Sequence, residues 1–133
     1  LETEMAGLWR RGVPKGSPLP VEARAAGILG LSWVHRGEPD RGLVRQLVRR
    51  LRDVTGMEPE SGDVRRSSAI ALGRMGASSA EATLREFAGE GELDMMVGNA
   101  ARWAIREMTG ETLPPPALEP RERKGWFIEP LEE

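Results

Sequence analysis

The chain contains no cysteine, no tyrosine and only one histidine, His35, and these absences exclude several kinds of active site. Without cysteine the protein has no disulfide, no thiolate metal site and no cysteine nucleophile. A zinc site with a single histidine would have to depend on carboxylates for its other ligands. We therefore expect a protein that is not an enzyme and that binds neither a metal ion nor a cofactor.

Long apolar runs and an excess of one charge are also missing. The longest nearly apolar stretch, residues 25–34, is about ten residues long, whereas a membrane-spanning helix needs about 20. We expect no membrane span. The 19 basic and 21 acidic side chains leave a net charge of only -2, so no overall field selects nucleic acid or an anionic membrane as the partner. The 133 residues are enough for one compact domain.

Three segments of the sequence superimpose on one another, and each begins at a valine. They are VEARAAGILGLSW from Val21, VRRSSAIALGRMG from Val64 and VGNAARWAIREMT from Val97. In the second and third segments, small and apolar residues recur at i, i+3, i+4, i+7, i+8 and i+11, which is one narrow face of a helix. In the first segment, Arg24 and Ser32 occupy two of these positions. The repeated face predicts helices that approach one another closely.

Further helices are predicted between these segments. An amphipathic helix is expected from about residue 40 to 55, with an apolar stripe made of Leu43, Val44, Leu47, Val48, Leu51 and Val54. A shorter helix is expected over about 79–88, where Ser78 followed by Glu81 has the spacing of a capping box. Two of the predicted helices are directly followed by a glycine that can end a helix: Gly76 and Gly110. No stretch alternates with period two, so we expect no sheet.

The pattern V-x-x-[AS]-[AS]-x-x-A-[LI]-x-x-M-[GT], with a repeat near 33 residues, resembles the HEAT-like repeats of the bacterial type first described in phycobilisome lyases. Residues 64–87 match it closely, and residues 100–111 resemble the final repeat of such arrays. The resemblance implies an all-α fold over residues 1–112. This fold would be a short right-handed α-solenoid of about three helical hairpins, an architecture that usually serves as a protein-binding scaffold.

Four arginines form the candidate partner-binding site: Arg41, Arg45, Arg49 and Arg52. They lie at i, i+4, i+8 and i+11 of the predicted helix, opposite its Leu/Val face. The resemblance places the second helix of each hairpin on the concave surface, where partners dock. Since guanidinium groups pair well with carboxylates and phosphates, we expect an acidic or extended segment of another protein here. The competing interpretation is an ordinary solvated helix face.

Two other functions remain open at this stage. Some HEAT-like proteins hold a nucleic-acid backbone on a basic concave face, and the four arginines favour that reading while the acidic net charge opposes it. The second alternative is a lyase-type enzyme that shares the repeat, although no residue in this sequence is characteristic of such an enzyme. Whichever function applies, we expect the protein to be a monomer.

The aromatic residues near the carboxyl end suggest a structural cap. Trp103 lies off the small-residue face, and the Pro-rich stretch 113–133 contains an apolar cluster with Trp126 and Phe127. Because a terminal repeat leaves one side uncovered, we expect this tail to fold back over the last hairpin, close to Trp103. A tryptophan pair that binds a ligand is the alternative. At the other end, residues 1–11 have the spacing of a short helix.

Overall fold

The structure, a computed structural model, describes residues 19–89 and 92–115. This part of the chain contains five α-helices, which are α1 (Val21–Val34), α2 (Arg41–Arg52), α3 (Gly62–Met75), α4 (Glu81–Phe87) and α5 (Met95–Thr109). No strand occurs among the described residues, so the expected all-α class is confirmed for them. None of their helices has the length and apolarity needed to cross a bilayer. The helix predicted at 1–11 lies outside the described residues.

The ends of the helices follow the local capping signals in the sequence. The Asp40 carboxylate accepts a hydrogen bond from the Leu43 backbone N–H at 2.9 Å and begins α2, and Asp94 caps α5 in the same way. Gly76 and Gly110 follow α3 and α5 with φ of 71° and 77°, in the left-handed region that favours glycine. Both predicted glycine stops are therefore confirmed.

The end of α2 differs from the prediction. The helix stops at Arg52, three residues before the expected end, because Asp53 leaves the helical region with ψ of 76°. Val54 belonged to the predicted apolar stripe, but it is exposed. The buried apolar stripe of α2 therefore ends at Leu51, one member earlier than predicted.

The capping box predicted before α4 is wrong. Residues Ser78–Ala80 form a short 3-10 helix, and no side chain caps this turn or α4. The Glu81 carboxylate instead accepts hydrogen bonds from Arg85 Nε and Nη2, at 3.1 and 2.9 Å. The 3-10 turn moves the start of α4 beyond Ser78, so the serine no longer sits at a capping position.

The helix α3 lies at the centre and packs against α1, α2 and α5, while α4 packs against α5. Near the carboxyl ends of α1 and α3, Arg74 Nη1 donates to Ser32 Oγ at 2.8 Å, so these two helices run in the same direction. Arg65, near the start of α3, donates from Nε to the Leu51 carbonyl near the end of α2, at 3.0 Å. The helix α2 therefore runs opposite to α3.

The small-residue face predicted from the repeats forms the centre of the core. Its members in α3 are all buried, namely Val64, Ser67, Ser68, Ala71, Leu72 and Met75. The corresponding face of α5 is buried from Val97 to Ile105. At Gly73 the two helices are so close that an added Cβ would lie 2.6 Å from the Cα and Cβ atoms of Ala104. Small residues at this interface are what allows the close packing.

Two buried ion pairs connect alternate helices of the chain, α1 with α3 and α3 with α5. The carboxylate of Glu60, before α3, accepts hydrogen bonds from both terminal nitrogens of Arg24 on α1, each at 3.0 Å. The carboxylate of Glu92, before α5, is bound by Arg65 on α3, with its shorter contact at 2.7 Å. Each carboxylate also accepts a backbone N–H of its own loop. The same arrangement thus occurs twice, although the two arginines hold different positions in the sequence repeat.

Candidate protein-binding surface

The helix α2 separates an apolar side from a charged side. Its buried residues are Leu43, Val44, Leu47 and Leu51. The four arginines of the predicted stripe are all exposed, namely Arg41, Arg45, Arg49 and Arg52. This separation follows from the helical period, because residues spaced by three or four positions share one side of the helix.

Three of these arginines carry charges that nothing in the described part of the chain neutralises. Arg41, Arg45 and Arg49 have no hydrogen bond or ion pair with any residue of 19–89 or 92–115. Successive members are four residues apart, or about 6 Å along the helix axis. We call these three residues the arginine ladder. Like charges held at this spacing repel each other, and an acidic ligand would relieve that repulsion.

Arg52 differs from the other three arginines because it connects two helices. Its Nη2 atom donates to Thr83 Oγ1 at 3.1 Å and lies 3.0 Å from Glu86 Oε2, and both partners belong to α4. About half of each charged side chain in this ion pair remains exposed. Helical spacing predicted that Arg52 belongs to the stripe. In the folded chain α4 supplies partners for its guanidinium group, so Arg52 is not an unpaired charge.

A groove of about 390 Å³ lies beside the arginine ladder, between α2 and the turn before α4. It is lined by Pro39, Arg41, Val44, Arg45, Val48, Ala77, Ser78 and Ser79. Val44 and Ala77 are buried and Val48 is half-buried, whereas the two serines are exposed. The groove therefore has an apolar base, with guanidinium groups on one side and hydroxyl groups on the other. Sequence patterns do not reveal this groove because its two walls are roughly 30 to 40 residues apart in the chain.

The groove and the ion pair of Arg52 lie at opposite ends of α2. The groove is formed where α2 and α4 begin, and the contact of Arg52 with Glu86 lies where both helices end. The two helices therefore run in the same direction, side by side. The ion pair brings a carboxylate to the end of the ladder that is marked by Arg49.

Trp103 does not line the groove beside the ladder. It borders a second groove, of about 340 Å³, between α3 and α5, whose other lining residues are Arg66, Ile70, Arg74, Met96, Asn99 and Ala100. Trp126 and Phe127 lie outside the described residues, so the cap that we expect near Trp103 stays a prediction. Leu113, the first residue of the predicted tail, is partly buried against the core.

The buried charged side chains in a third groove are already paired. This groove, of about 590 Å³, lies between the loops that precede α3 and α5. Its buried charged residues Glu60, Arg65 and Glu92 form the two ion pairs described above. In the described ranges, no group of three histidine, aspartate or glutamate side chains is arranged to hold a metal ion. His35, the single histidine of the sequence, directly follows the last residue of α1.

Comparisons with known proteins identify no relative of this chain. No family model matches the chain, and neither a curated protein nor a solved structure is significantly similar to it. The resemblance to HEAT-like repeats therefore rests on the sequence motif and stays a prediction. The arginine ladder and its groove are the observations from which a function can be argued.

Proposed function

We propose that this protein is a HEAT-like interaction module, a short α-solenoid that binds an acidic segment of another protein through the exposed face of α2. The architecture is supported by the repeated small-residue face and by the common direction of α1 and α3. The recurrence of an ion pair before α3 and before α5 is also typical of a chain built from stacked units. The module has no catalytic role in this proposal.

The arginine ladder is the observation that carries the proposal. Elsewhere in the described chain, arginines such as Arg24, Arg65 and Arg85 are paired with carboxylates. The members of the ladder are exposed and have no such partner there. Guanidinium groups bind carboxylates through two parallel hydrogen bonds, which gives both affinity and orientation. An acidic protein segment therefore supplies the carboxylates with which these three arginines would pair.

A nucleic-acid backbone is the second candidate ligand, since phosphates also pair with guanidinium groups. Three unpaired arginines favour it, but the chain as a whole has more acidic than basic side chains. The two ligands differ in how binding depends on salt, because a duplex releases condensed counterions when its phosphates are neutralised. The lyase-type alternative has no supporting side-chain arrangement in the described residues.

A displayed library of random peptides tests the proposal on the full chain. We expect the wild type to select sequences rich in aspartate and glutamate. The variant Arg45→Glu/Arg49→Glu should lose this selection and keep its thermal midpoint, because exposed charges contribute little to stability. The control Arg36→Glu/Arg106→Glu changes two exposed arginines outside the ladder by the same charge and should still select acidic peptides.

Two results would contradict the proposal. One is a wild-type selection without acidic enrichment, and the other is acidic enrichment that persists in Arg45→Glu/Arg49→Glu. Binding to duplex DNA that falls steeply with salt, and that the same variant loses, would support the nucleic-acid alternative instead.

A further inference from the structure

We infer that the α2 face recognises the spacing of its ligand: an extended segment with acidic side chains at three alternate positions, preceded by an apolar side chain two residues away. This inference rests on the proposed function and adds a sequence pattern to it. Three features of the surface support the pattern. They are the length of the arginine ladder, the place of the groove beside it and the carboxylate that ends it.

The length of the ladder matches an extended strand. Arg41 and Arg49 are eight residues apart on α2, so the ladder is about 12 Å long at 1.5 Å per residue. In an extended chain, side chains two residues apart point to the same side and are about 6.6 to 6.8 Å apart. Three alternate acidic residues therefore cover about 13 Å, close to the length of the ladder. In a polyproline helix, side chains on one side are about 9.3 Å apart. This spacing does not match the spacing of about 6 Å between successive arginines of the ladder.

The groove determines what precedes the acidic residues. It reaches from Val48 past Arg41 to Pro39, so it continues beyond the ladder at the beginning of α2. Pro39 lines this outer part, and Val44 and Ala77 form an apolar base next to it, beside Arg41 and Arg45. A side chain that points toward α2 here, two residues from the acidic residue at Arg41, gains by burying apolar surface.

The other end of the ladder limits the acidic run to three residues. Arg52 is the next arginine on this exposed side of α2, but Glu86 lies 3.0 Å from it. A fourth acidic side chain at this point would meet the Glu86 carboxylate as well as the arginine. The repulsion offsets the attraction, so a fourth acidic residue adds little affinity. The pattern that fits the face is therefore apolar-x-acidic-x-acidic-x-acidic.

The test uses fluorescein-labelled synthetic peptides and the full chain, with fluorescence anisotropy as the readout. The reference peptide contains Leu-Thr-Glu-Thr-Glu-Thr-Glu. A second peptide of the same composition has its three glutamates in a row, and a third has serine in place of leucine. A fourth is an alanine-rich helical peptide with glutamate at every fourth position, since that helix has the same 6 Å spacing as the ladder.

We expect the reference peptide to bind about three-fold to ten-fold more tightly than the contiguous peptide, because the latter directs part of its charge away from α2. The serine peptide should also bind more weakly than the reference. The variant Pro39→Ser, at the end of the groove where the leucine is placed, should reduce this advantage of leucine over serine while binding the serine peptide as the wild type does. This variant changes the groove and leaves all three arginines of the ladder in place.

Equal affinities for the alternating and the contiguous peptide would overturn the inference and leave the proposed function intact. Tighter binding of the helical peptide would also overturn it. If none of the four peptides binds and the library yields no acidic sequences, the proposed function itself fails.

Discussion

The carboxylate of Glu60 is the best place to test what connects α1 with α3. Its side chain is 2% exposed and lies between Arg24, with two hydrogen bonds of 3.0 Å, and Arg50, with a contact of 3.8 Å. The substitution Glu60→Leu removes both carboxylate oxygens but keeps an apolar side chain in the site. The guanidinium group of Arg24, whose side chain is 9% exposed, is then left without its anion.

The expected loss follows from the burial of this pair. Removing one partner of a buried ion pair costs about 3 to 5 kcal/mol, because the remaining charge is neither hydrated nor neutralised. Total stabilities of domains are about 5 to 15 kcal/mol, so a large share would be lost. The thermal midpoint should fall by roughly 10 °C or more. Replacing both residues, in Arg24→Met/Glu60→Leu, removes the uncompensated charge of Arg24 and should recover most of the lost stability, although Arg50 still loses its 3.8 Å contact with Glu60.

Urea unfolding of the full chain, followed by far-UV circular dichroism, measures both changes. The control is Glu81→Gln, because the ion pair of Glu81 with Arg85 is more than one-third exposed on both sides. Its loss should cost no more than about 0.5 kcal/mol. A cost below about 1 kcal/mol for Glu60→Leu would refute the reasoning. A double variant less stable than Glu60→Leu would refute it as well.

Three further predictions test the packing and the surface charges. Gly73→Ala should destabilise the protein by roughly 1 to 3 kcal/mol in thermal unfolding, because its Cβ would overlap backbone of α5. Gly30→Ala, at the matching repeat position of α1 with open space around it, should instead stabilise by about 0.5 to 1 kcal/mol, and equal effects at the two sites would contradict the packing described here. Ala71→Glu places a carboxylate at a fully buried position and should leave the chain unfolded by circular dichroism, whereas a cooperative transition near the wild-type midpoint would show that the site can open. A hydrogen bond from Arg85 lowers the pKa of Glu111, so the pair stabilises the fold above the ordinary glutamate pKa and loses its effect as the pH falls through the lowered value. Arg85→Gln should return the pKa of Glu111 toward about 4.3 in an NMR titration, and an unchanged pKa would exclude that hydrogen bond in solution.

The helices and most of their ends could be predicted from the sequence. Asp40 begins α2 and Gly76 ends α3 through bonds and backbone angles that involve only a few neighbouring residues. The small-residue face of α3 was equally visible, because it depends on the helical period alone. The exposure of the arginine ladder follows from the same period, since it lies opposite the Leu/Val side of α2.

Contacts between distant residues depended on the packing of the helices. Arg24 and Glu60 are 36 residues apart, and nothing in the pattern of the repeat marks them as partners. Arg52 leaves the set of unpaired arginines only because α4 brings Glu86 beside it. The apolar groove likewise exists only where α2 meets the turn before α4. Periodicity and capping act within one or two helical turns, whereas these pairings require the relative positions of whole helices, which the core determines when it closes.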